Sequence, residues 1–307
     1  MKHYDLVIVG AGPAGMSAAL FAKGDGLDFR LVENGNPCGY VEDVINTNFT
    51  NLENYLGLYD LSGTEAATVF RAHLVHRGIP IHSENILQIK DSGGELHLST
   101  EEEEYGSKTL ILATGTKPRK LSVNGLERVT GKIHYGINSD LPDYSGEDVL
   151  VVGGRNSGCV TAVRLWEMGI HPVIVEKAGT SSAKDKYLQK VRSFNIPYLL
   201  NTSLVSVTGQ DDGNIESVVL DCDGCSTIMR PRAIFGCIGS EPNNSLARSL
   251  NLSLDGFGYV VVDRQMRTSH QQVFAAGDLN GGVKMIVVAA GEGATAEYYA
   301  NAYVRKK

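Results

Sequence analysis

The chain has 307 residues and a formal net charge of −7 at pH 7, with 42% hydrophobic and 21% charged residues. This length predicts two domains of ordinary size, each able to bury a core. The acidic balance argues against a nucleic-acid-binding protein, and no apolar run is long enough to span a membrane. Because the five cysteines are scattered and no signal peptide precedes the first strand, we expect a reducing, cytoplasmic location.

A strand, a glycine-rich loop, a helix and a second strand open the chain in the order of a dinucleotide-binding unit. The unbroken apolar run at 6–9 predicts a strand buried on both faces of a parallel sheet. The glycines after it would make a tight turn, let the backbone approach a pyrophosphate and pack the helix against the strand. The next strand, at 29–32, ends in an acid where a ribose acceptor is needed, roughly 20 residues on. The predicted contacts of this first site are Gly10, Gly12, Pro13, Ala14, Gly15 and Glu33.

A second unit of the same kind interrupts the first. Residues 108–115 indicate another buried strand with a small-residue turn, after which the chain leaves the first unit. Strands expected at 149–152, 172–176 and 233–238 form the second unit, whose own glycine loop begins at Gly153. A strand near 272–278 and a helix expected over 283–299 return to the first unit. The sequence therefore predicts an α/β protein with two Rossmann-like dinucleotide-binding domains, the second inserted into the first.

Six motifs lie at 10–15, 113–115, 153–158, 236–239, 274–278 and 290–293. Through them nearly the whole chain resembles the low-molecular-weight thioredoxin reductase family of flavoproteins. The resemblance implies that 1–116 and 244–307 form an FAD-binding domain, that 117–243 form an inserted NAD(P)-binding-like domain, and that the protein is a homodimer. It implies that Asp278 holds the ribityl chain and that the helix after Val283 lies near the pyrimidine end of the flavin. Its further expected flavin contacts are Asn34, Gly39, Tyr40, Ala113, Thr114, Gly115, Gly277, Lys284, Met285 and Ile286.

The segment before the second loop departs from the family. Thioredoxin reductases carry Cys-Ala-Thr-Cys-Asp there, and ungapped placement puts Gly136 and Ser139 at the two cysteine positions. Neither residue can form a thiolate or a disulfide, so electrons cannot pass through a dithiol at this place. Asp140 keeps the position of the family's proton donor, although a turn or helix-cap role would equally account for it.

The second loop is also altered. Arg155 stands where the middle glycine is expected, and Glu176 ends the next strand in place of the family's arginines for a 2′-phosphate. A carboxylate repels a 2′-phosphate and suits a free ribose diol, so NADPH is disfavoured. NADH, a second FAD or other adenine nucleotide, and an empty site all stay open, because Arg155 could pair with a phosphate instead of blocking it. The residues of this second site are Gly153, Arg155, Asn156, Ser157 and Glu176.

The cysteines leave alternatives open. Cys38 lies where the family's Gly-Gly-Gln stretch passes the flavin, so it is either a thiol that exchanges electrons with the ring or a small residue in a tight loop. Cys222 and Cys225 flank an Asp-Gly hairpin turn and could form a disulfide or half a metal site. No complete metal-ligand spacing accompanies them, and Cys159 and Cys237 are expected in the core.

The sequence therefore predicts an FAD-dependent oxidoreductase without the family dithiol and with an impaired NADPH site. Its electrons would come from ferredoxin, flavodoxin, NADH or a second flavin, and its partners would be electron-transfer proteins of the ferredoxin, flavodoxin or thioredoxin type. The alternative is a flavin-binding regulatory or structural protein that has lost reductase activity. Neither a nucleic acid nor a membrane is expected as a partner.

Overall fold

The structure is a computed structural model that describes residues 1–38, 41, 52–137 and 141–306. Its strands are β1 Lys2–Val9, β2 Phe29–Glu33, β3 Ile81–Ser83, β4 Gln88–Asp91, β5 Leu96–Ser99, β6 Glu104–Leu112, β7 Thr116–Pro118, β8 Ile133–His134, β9 Asp148–Val152, β10 His171–Val175, β11 Tyr198–Leu199, β12 Thr202–Gly209, β13 Ile215–Cys222, β14 Cys225–Met229, β15 Ile234–Gly236, β16 Ser240–Pro242 and β17 Val273–Ala275. Its α-helices are α1 Pro13–Asp25, α2 Gly63–His76, α3 Asn156–Glu167, α4 Asp185–Ser193, α5 Ser245–Ser249 and α6 Ile286–Val304. The candidate residues Gly39, Tyr40, Ser139 and Asp140 lie outside the described residues.

The chain divides into two compact units. The first consists of Met1–Lys117 with Glu241–Lys307, and the second is Pro118–Ser240. The ends expected from the sequence, 116 and 244, lie one and three residues from these bounds. The chain leaves the first unit through β7 and returns through β16, and these two short strands pair with each other.

The first unit is built on a sheet in the order β3-β2-β1-β6. These strands run parallel, and β17 joins the C-terminal half of β6 in the same direction. The antiparallel strands β5 and β4 continue from the N-terminal half of β6. Neighbouring strands flank β1 on both sides, and its residues Leu6, Val7 and Ile8 are fully buried, as an unbroken apolar run requires.

Helices α1 and α6 pack closely on one face of this sheet. Their buried residues are mostly alanine: Ala14, Ala18, Ala19 and Ala22 on α1, and Ala289, Ala296 and Ala300 on α6. At Gly293 of α6, an added Cβ would lie 2.0 Å from the carbonyl oxygen of Ala14, so only glycine fits there. Small residues on both helices are therefore what permits the close approach of their backbones.

The second unit repeats the plan on a smaller scale. Its five-stranded parallel sheet has the order β11-β10-β9-β15-β8, and β12, β13 and β14 form a separate antiparallel sheet. The core between them contains Val129, Leu150, Val175, Leu204, Val207, Val218, Leu220 and Ile234. The α/β architecture with two Rossmann-like units, expected from the sequence, is confirmed.

Two local expectations were wrong. The last helix begins at Ile286, not 283, because Met285 is still extended with φ −142° and ψ 142°. Cys237, just after β15, is only half-buried as a residue although its thiol group is enclosed, whereas Cys159 is fully buried. Within the described part of the chain, no helix is both long and apolar enough to cross a membrane.

Candidate functional site

The first glycine loop contains two kinds of glycine. Gly10 has φ +107°, and an added Cβ would lie 2.3 Å from the carbonyl oxygen of Ala113, while at Gly15 it would lie 1.8 Å from the carbonyl oxygen of Gly10. The fold itself therefore requires glycine at both positions. At Gly12 the backbone has φ −80° and ψ −175°, which any residue adopts, and an added Cβ would meet nothing within 4 Å. The missing side chain of Gly12 consequently leaves room for a ligand and serves no packing purpose.

Glu33 is held at the end of β2 by the loop it faces. Its Oε2 accepts a hydrogen bond from the Ala11 amide at 2.7 Å, and its Oε1 accepts one from the Gly35 amide at 3.0 Å. Each carboxylate oxygen has a second lone pair. The carboxylate is thus fixed in position and can still accept hydrogen bonds from ribose hydroxyls.

A cavity of about 570 Å³ opens over the first loop, at the carboxyl ends of β1, β2 and β6. This is where ligands bind in open parallel sheets. The expected residues that line it are Gly10, Gly12, Pro13, Ala14, Glu33, Asn34, Cys38, Ala113, Thr114, Gly115, Gly277, Asp278, Lys284, Met285 and Ile286. Gly15 lies behind the loop and packs α1 against it.

The sequence reasoning missed several residues of this cavity. They include Leu52, Asn54, Glu84, Asn85, Ile86, Thr116, Asn243, Ser245 and Leu246. Residues 84–86 directly follow β3, which pairs with β2, so the rule that ligands lie at carboxyl strand ends could have found them. No sequence signal pointed to Asn243, Ser245 and Leu246, which reach the cavity only because the chain returns after β16.

Asp278 also lines the cavity and is half-buried after β17. Burial raises the pKa of its carboxyl group, and the nearby Lys284 opposes that shift. The turn that contains Asp278 is fixed by Glu292, whose Oε2 accepts hydrogen bonds at 2.8 Å from the Gly277 amide and from Asn280 Nδ2. Asp278 is therefore presented to the cavity on a braced turn.

Two helix N-termini face the cavity without a side-chain cap. Gly12 precedes α1 and Met285 precedes α6, and neither helix has a side chain that accepts from its first amides. These free amides and the positive ends of the helix dipoles favour anionic or electron-rich ligand groups. The hydroxyl oxygen of Thr116, a cavity residue, is buried and has no hydrogen-bond partner in the structure. FAD could use the space beside Gly12, the uncapped amides of α1 and α6, and the unpaired Thr116 hydroxyl. The residues present therefore fit FAD.

Cys38 belongs to this cavity as well. It is buried, with 3% of its surface exposed, and has φ +61°, a left-handed conformation that is uncommon for residues other than glycine. Its amide donates to the Ala11 carbonyl oxygen at 3.1 Å, and its Sγ lies 3.6 Å from Met16 Sδ. The thiol thus lies beside the dinucleotide loop in apolar surroundings.

The second loop has nearly the same backbone as the first. Gly153 has φ +103°, and an added Cβ there would lie 2.4 Å from the Cys237 carbonyl oxygen, as at Gly10; one at Gly158 would lie 1.8 Å from the Gly153 carbonyl oxygen, as at Gly15. Arg155 has φ −76° and ψ −168°, close to the values of Gly12. Arginine is therefore accommodated without backbone strain, and its exposed side chain extends from the position where the first loop is bare.

Glu176 repeats the role of Glu33. Its Oε2 accepts from the Gly154 amide at 2.8 Å and its Oε1 from the Ala178 amide at 3.1 Å. Two further contacts tighten the loop: the Tyr198 hydroxyl donates to the Gly154 carbonyl oxygen at 2.6 Å, and Asn156 Oδ1 accepts from the Lys184 amide at 2.9 Å. The sequence reasoning missed Tyr198, and it did not anticipate that the Asn156 side chain binds the protein's own backbone. Ser157 is exposed at the start of α3.

Gly136, which we expect at the first dithiol position, is half-buried just after β8. Nearby, His134 Nε2 and the Tyr144 hydroxyl are 2.9 Å apart. In the described part of the chain, no group of three or more His, Cys, Asp or Glu side chains could hold a metal ion.

Comparison with known proteins agrees with this geometry. The family model for pyridine nucleotide-disulphide oxidoreductases matches residues 4–293. The chain is 31% identical over 313 residues to the 34.2 kDa protein in the rubredoxin operon of Clostridium pasteurianum, covering 100% of this chain and 99% of that protein. The crystal structure of Lactococcus lactis thioredoxin reductase has a TM-score of 0.90 at 28% identity, covering 99% of this chain and 100% of that one.

A third similar structure is the ferredoxin-flavin thioredoxin reductase from Clostridium acetobutylicum, with a TM-score of 0.55 at 26% identity, covering 100% of this chain and 99% of that one. These similarities confirm the expected resemblance to thioredoxin reductases and the assignment as a flavin-dependent oxidoreductase. The chain belongs to the pyridine nucleotide-disulphide oxidoreductase family.

Proposed function

We propose that this chain is an FAD-dependent oxidoreductase that takes electrons from a donor other than NADPH and does not pass them through the family's dithiol. The observation that carries the proposal is the near identity of the two glycine loops. They share one backbone geometry, yet the second carries Arg155 at the position that is bare in the first. One loop is therefore open to a pyrophosphate, while the other has a cationic side chain in the same place.

The first unit would hold FAD through its own backbone and carboxylates. The amides at the start of α1 would bind the pyrophosphate, Glu33 the ribose of the adenosine half, and Asp278 the ribityl hydroxyls. The N-terminus of α6 would face the pyrimidine end of the flavin. FAD, when bound, supplies an acceptor for one or two electrons.

The missing dithiol supports a changed electron route. Gly136 and Ser139 occupy the positions of the two cysteines and carry no group that can be oxidised or reduced. Without these cysteines Asp140 would have no dithiol to protonate. We therefore propose for it the role of a turn or helix-cap residue. Cys38 remains a second candidate for electron exchange because it lines the same cavity as the flavin-binding residues.

The altered second loop supports a donor other than NADPH. Glu176 directly follows β10 and would repel a 2′-phosphate. The acceptable ligands are then NADH or another adenine nucleotide that lacks a 2′-phosphate. Similarity to a protein named ferredoxin-flavin thioredoxin reductase, and to one encoded in a rubredoxin operon, favours a small iron–sulfur protein as donor. We therefore place a ferredoxin-type donor first and NADH second.

The test is reduction of the bound flavin by defined donors. Reduced ferredoxin, NADH and NADPH are added in turn under anaerobic conditions, and bleaching of the flavin absorption band is followed. We expect bleaching by ferredoxin to be fastest and bleaching by NADPH to be slowest. Fast bleaching by NADPH would contradict the proposal, and a flavin that no donor reduces would favour the regulatory or structural alternative.

Arg155→Gly sharpens this test. If Arg155 obstructs the second loop, NADH should bleach the flavin of the variant faster than that of the wild type, with NADPH still slow because of Glu176. The exposed Lys177→Ala is the matched control, since it removes a neighbouring positive charge and leaves the loop filled. If Arg155 clamps a second nucleotide, the substitution should instead lower the adenine content per chain. Unchanged NADH kinetics and unchanged adenine content would rule out both roles.

Thioredoxin reduction tests the electron exit. A coupled assay with NADPH and thioredoxin should show no turnover above background. Robust turnover that survives replacement of Cys38, Cys222 and Cys225 would contradict the placement of Gly136 and Ser139. The family resemblance also supports a homodimer, which light scattering of the purified protein would test.

A further inference from the structure

Two cysteines face each other at the tip of the hairpin between β13 and β14. Cys222 and Cys225 are directly opposite in the register, so their side chains project from the same face of the sheet. Cys225 is exposed and Cys222 is half-buried, and both are thiols in the structure. Neither belongs to the cavity or to the glycine loops described above.

The turn that joins them is rigidly specified. Asp223 has φ +55° and Gly224 has φ +85°, the two left-handed residues of a type I′ turn. Asp221 Oδ1 accepts from the Gly224 amide at 2.9 Å, and the Asp223 amide donates to the Asn201 carbonyl oxygen at 2.9 Å. The two thiols are therefore held side by side by a braced turn, so little conformational entropy is lost when they react with each other.

The register also determines what kind of disulfide could form. Cβ atoms of directly opposite residues lie about 4.5–5.5 Å apart, whereas a relaxed disulfide needs about 3.5–4.5 Å. A bond between Cys222 and Cys225 would have to draw the strand ends together and would stay open to solvent at Cys225. Disulfides that are strained or exposed are the reducible ones.

The other two cysteines of the second unit have less reactive thiols. Cys159 is fully buried, its Sγ lies 3.5 Å from the Gly154 carbonyl oxygen, and burial raises the pKa of its thiol to about 11. The Cys237 thiol lies 3.5 Å from the Thr161 hydroxyl, and burial raises its pKa to about 11 as well. Because the thiolate is the reacting form, both are poor nucleophiles near neutral pH.

We propose that Cys222 and Cys225 form a reversible thiol–disulfide exchange site for small-molecule disulfides of the glutathione type. The Cys225 thiolate attacks one sulfur of the small disulfide, forms a mixed disulfide and releases one thiol. The Cys222 thiolate then attacks the Cys225 sulfur and releases the second thiol. Two electrons pass from the protein to the small disulfide, which becomes two thiols, and the protein gains one internal disulfide. The reverse sequence reduces the pair.

The test uses the full-length protein in glutathione buffers of increasing oxidised fraction. Samples are quenched with acid, remaining thiols are alkylated, and the tryptic peptide 193–232, which holds both cysteines, is analysed by mass spectrometry. We expect that peptide to lose two hydrogens as the oxidised fraction rises, with no lasting glutathione adduct. Cys159 and Cys237 in the same samples serve as internal controls and should stay reduced.

Cys222→Ser separates the two steps. Without the resolving thiol, the glutathione adduct on Cys225 should accumulate to about tenfold or more of its wild-type level, because the intramolecular step is lost. Cys225→Ser should give far less adduct on the half-buried Cys222. Adduct on Cys225 at equal levels in wild type and Cys222→Ser would overturn the proposal. So would a wild-type peptide in which both thiols remain alkylatable at every glutathione ratio.

Discussion

Gly10 and Gly12 stand two residues apart in one loop, but the absence of their side chains has different consequences. Gly10 is in a left-handed conformation against the Ala113 carbonyl oxygen, so its missing Cβ is a condition of folding. Gly12 is in an ordinary extended conformation with open space beside it, so its missing Cβ is a condition of binding. One substitution at each position should separate the two effects.

We expect Gly12→Asp to fold and to lose FAD. Aspartate is a favoured N-cap residue, so the free energy of unfolding of the apoprotein should not fall. Its carboxylate would lie where the pyrophosphate belongs and would repel it. Gly10→Ala should instead lower the free energy of unfolding by more than the roughly 1–3 kcal/mol of its strained backbone conformation, because the added Cβ also clashes with the Ala113 carbonyl oxygen. Flavin absorbance per chain measures the FAD content, and urea denaturation measures the free energy of unfolding. A Gly12→Asp protein with full flavin content would refute the assignment of the first loop.

Glu297 on α6 is a fully buried carboxylate, and neither of its oxygens has a hydrogen-bond partner in the structure. Burial, helped by repulsion from Asp25 of α1 and opposed by Arg305, raises the pKa of Glu297 to about 7. Asp25 and Arg305 are themselves joined through Asn301, which binds both side chains. The buried acid thus lies one helical turn before a polar network that ties α6 to the end of α1.

The raised pKa makes stability depend on pH with a definite sign. In the folded state Glu297 keeps its proton up to about pH 7, whereas in the unfolded chain it loses the proton near the ordinary glutamate pKa of 4.5. The free energy of unfolding should therefore fall as the pH rises from 4.5 to 7 and stay low above pH 7. The loss from this one group is on the order of 3 kcal/mol.

Glu297→Gln should remove that part of the pH dependence and be more stable than wild type at pH 8. The exposed Glu127→Gln is the control and should follow the wild-type curve. Urea denaturation at intervals between pH 5 and pH 8 gives the free energy of unfolding of the three proteins. If the free energy of unfolding had the same pH dependence in wild type and in Glu297→Gln, the raised pKa of Glu297 would be contradicted.

At the scale of single elements, α2 shows how local sequence fixes a helix start. The Ser62 hydroxyl accepts from the Glu65 amide at 3.3 Å, and Glu65 Oε2 accepts from the Ser62 amide at 2.8 Å. This reciprocal capping box satisfies two amides that the helix leaves without partners.

Ser62→Ala should lower the free energy of unfolding by about 1 kcal/mol, because one of these amides loses its acceptor. Ser62→Thr keeps the acceptor and should cost only a fraction of that. Urea denaturation of both variants checks the difference. Equal losses in the two proteins would mean that the hydroxyl group contributes nothing to the helix.

At the scale of the whole molecule, the inserted unit begins and ends at neighbouring points. Strands β7 and β16 pair, and the Arg119 amide donates to the Gly239 carbonyl oxygen at 3.0 Å. Each unit also has its own buried core. Units with separate cores and adjacent ends are those that tolerate excision.

We expect residues 118–240 to fold cooperatively when produced alone. We also expect residues 1–117, joined to 241–306 by a short glycine linker, to bind FAD. Circular dichroism with thermal melting tests the first piece, and flavin content after reconstitution tests the second. A first unit that cannot retain FAD, beside a full-length chain that does, would show that the cavity residues alone do not suffice.

The sequence by itself determined the features that depend on neighbours in the chain. The order of strand, loop, helix, strand and acid predicted both nucleotide units, because these elements meet through short connections of fixed geometry. The sequence also predicted departures from the family pattern at Arg155, Gly136 and Ser139, since each is a substitution within an expected spacing. The Asp-Gly turn between Cys222 and Cys225 was predicted for the same reason.

Only the tertiary structure decided what depends on residues far apart in the chain. Residues 84–86 and residues 243, 245 and 246 line one cavity although they are far apart in the sequence, and no periodicity encodes that meeting. The burial of Glu297 follows from the approach of α6 to α1, which Gly293 permits. The structure also separated Gly12 from Gly10, because only distances to other atoms distinguish a glycine required by the fold from one that leaves room for a ligand.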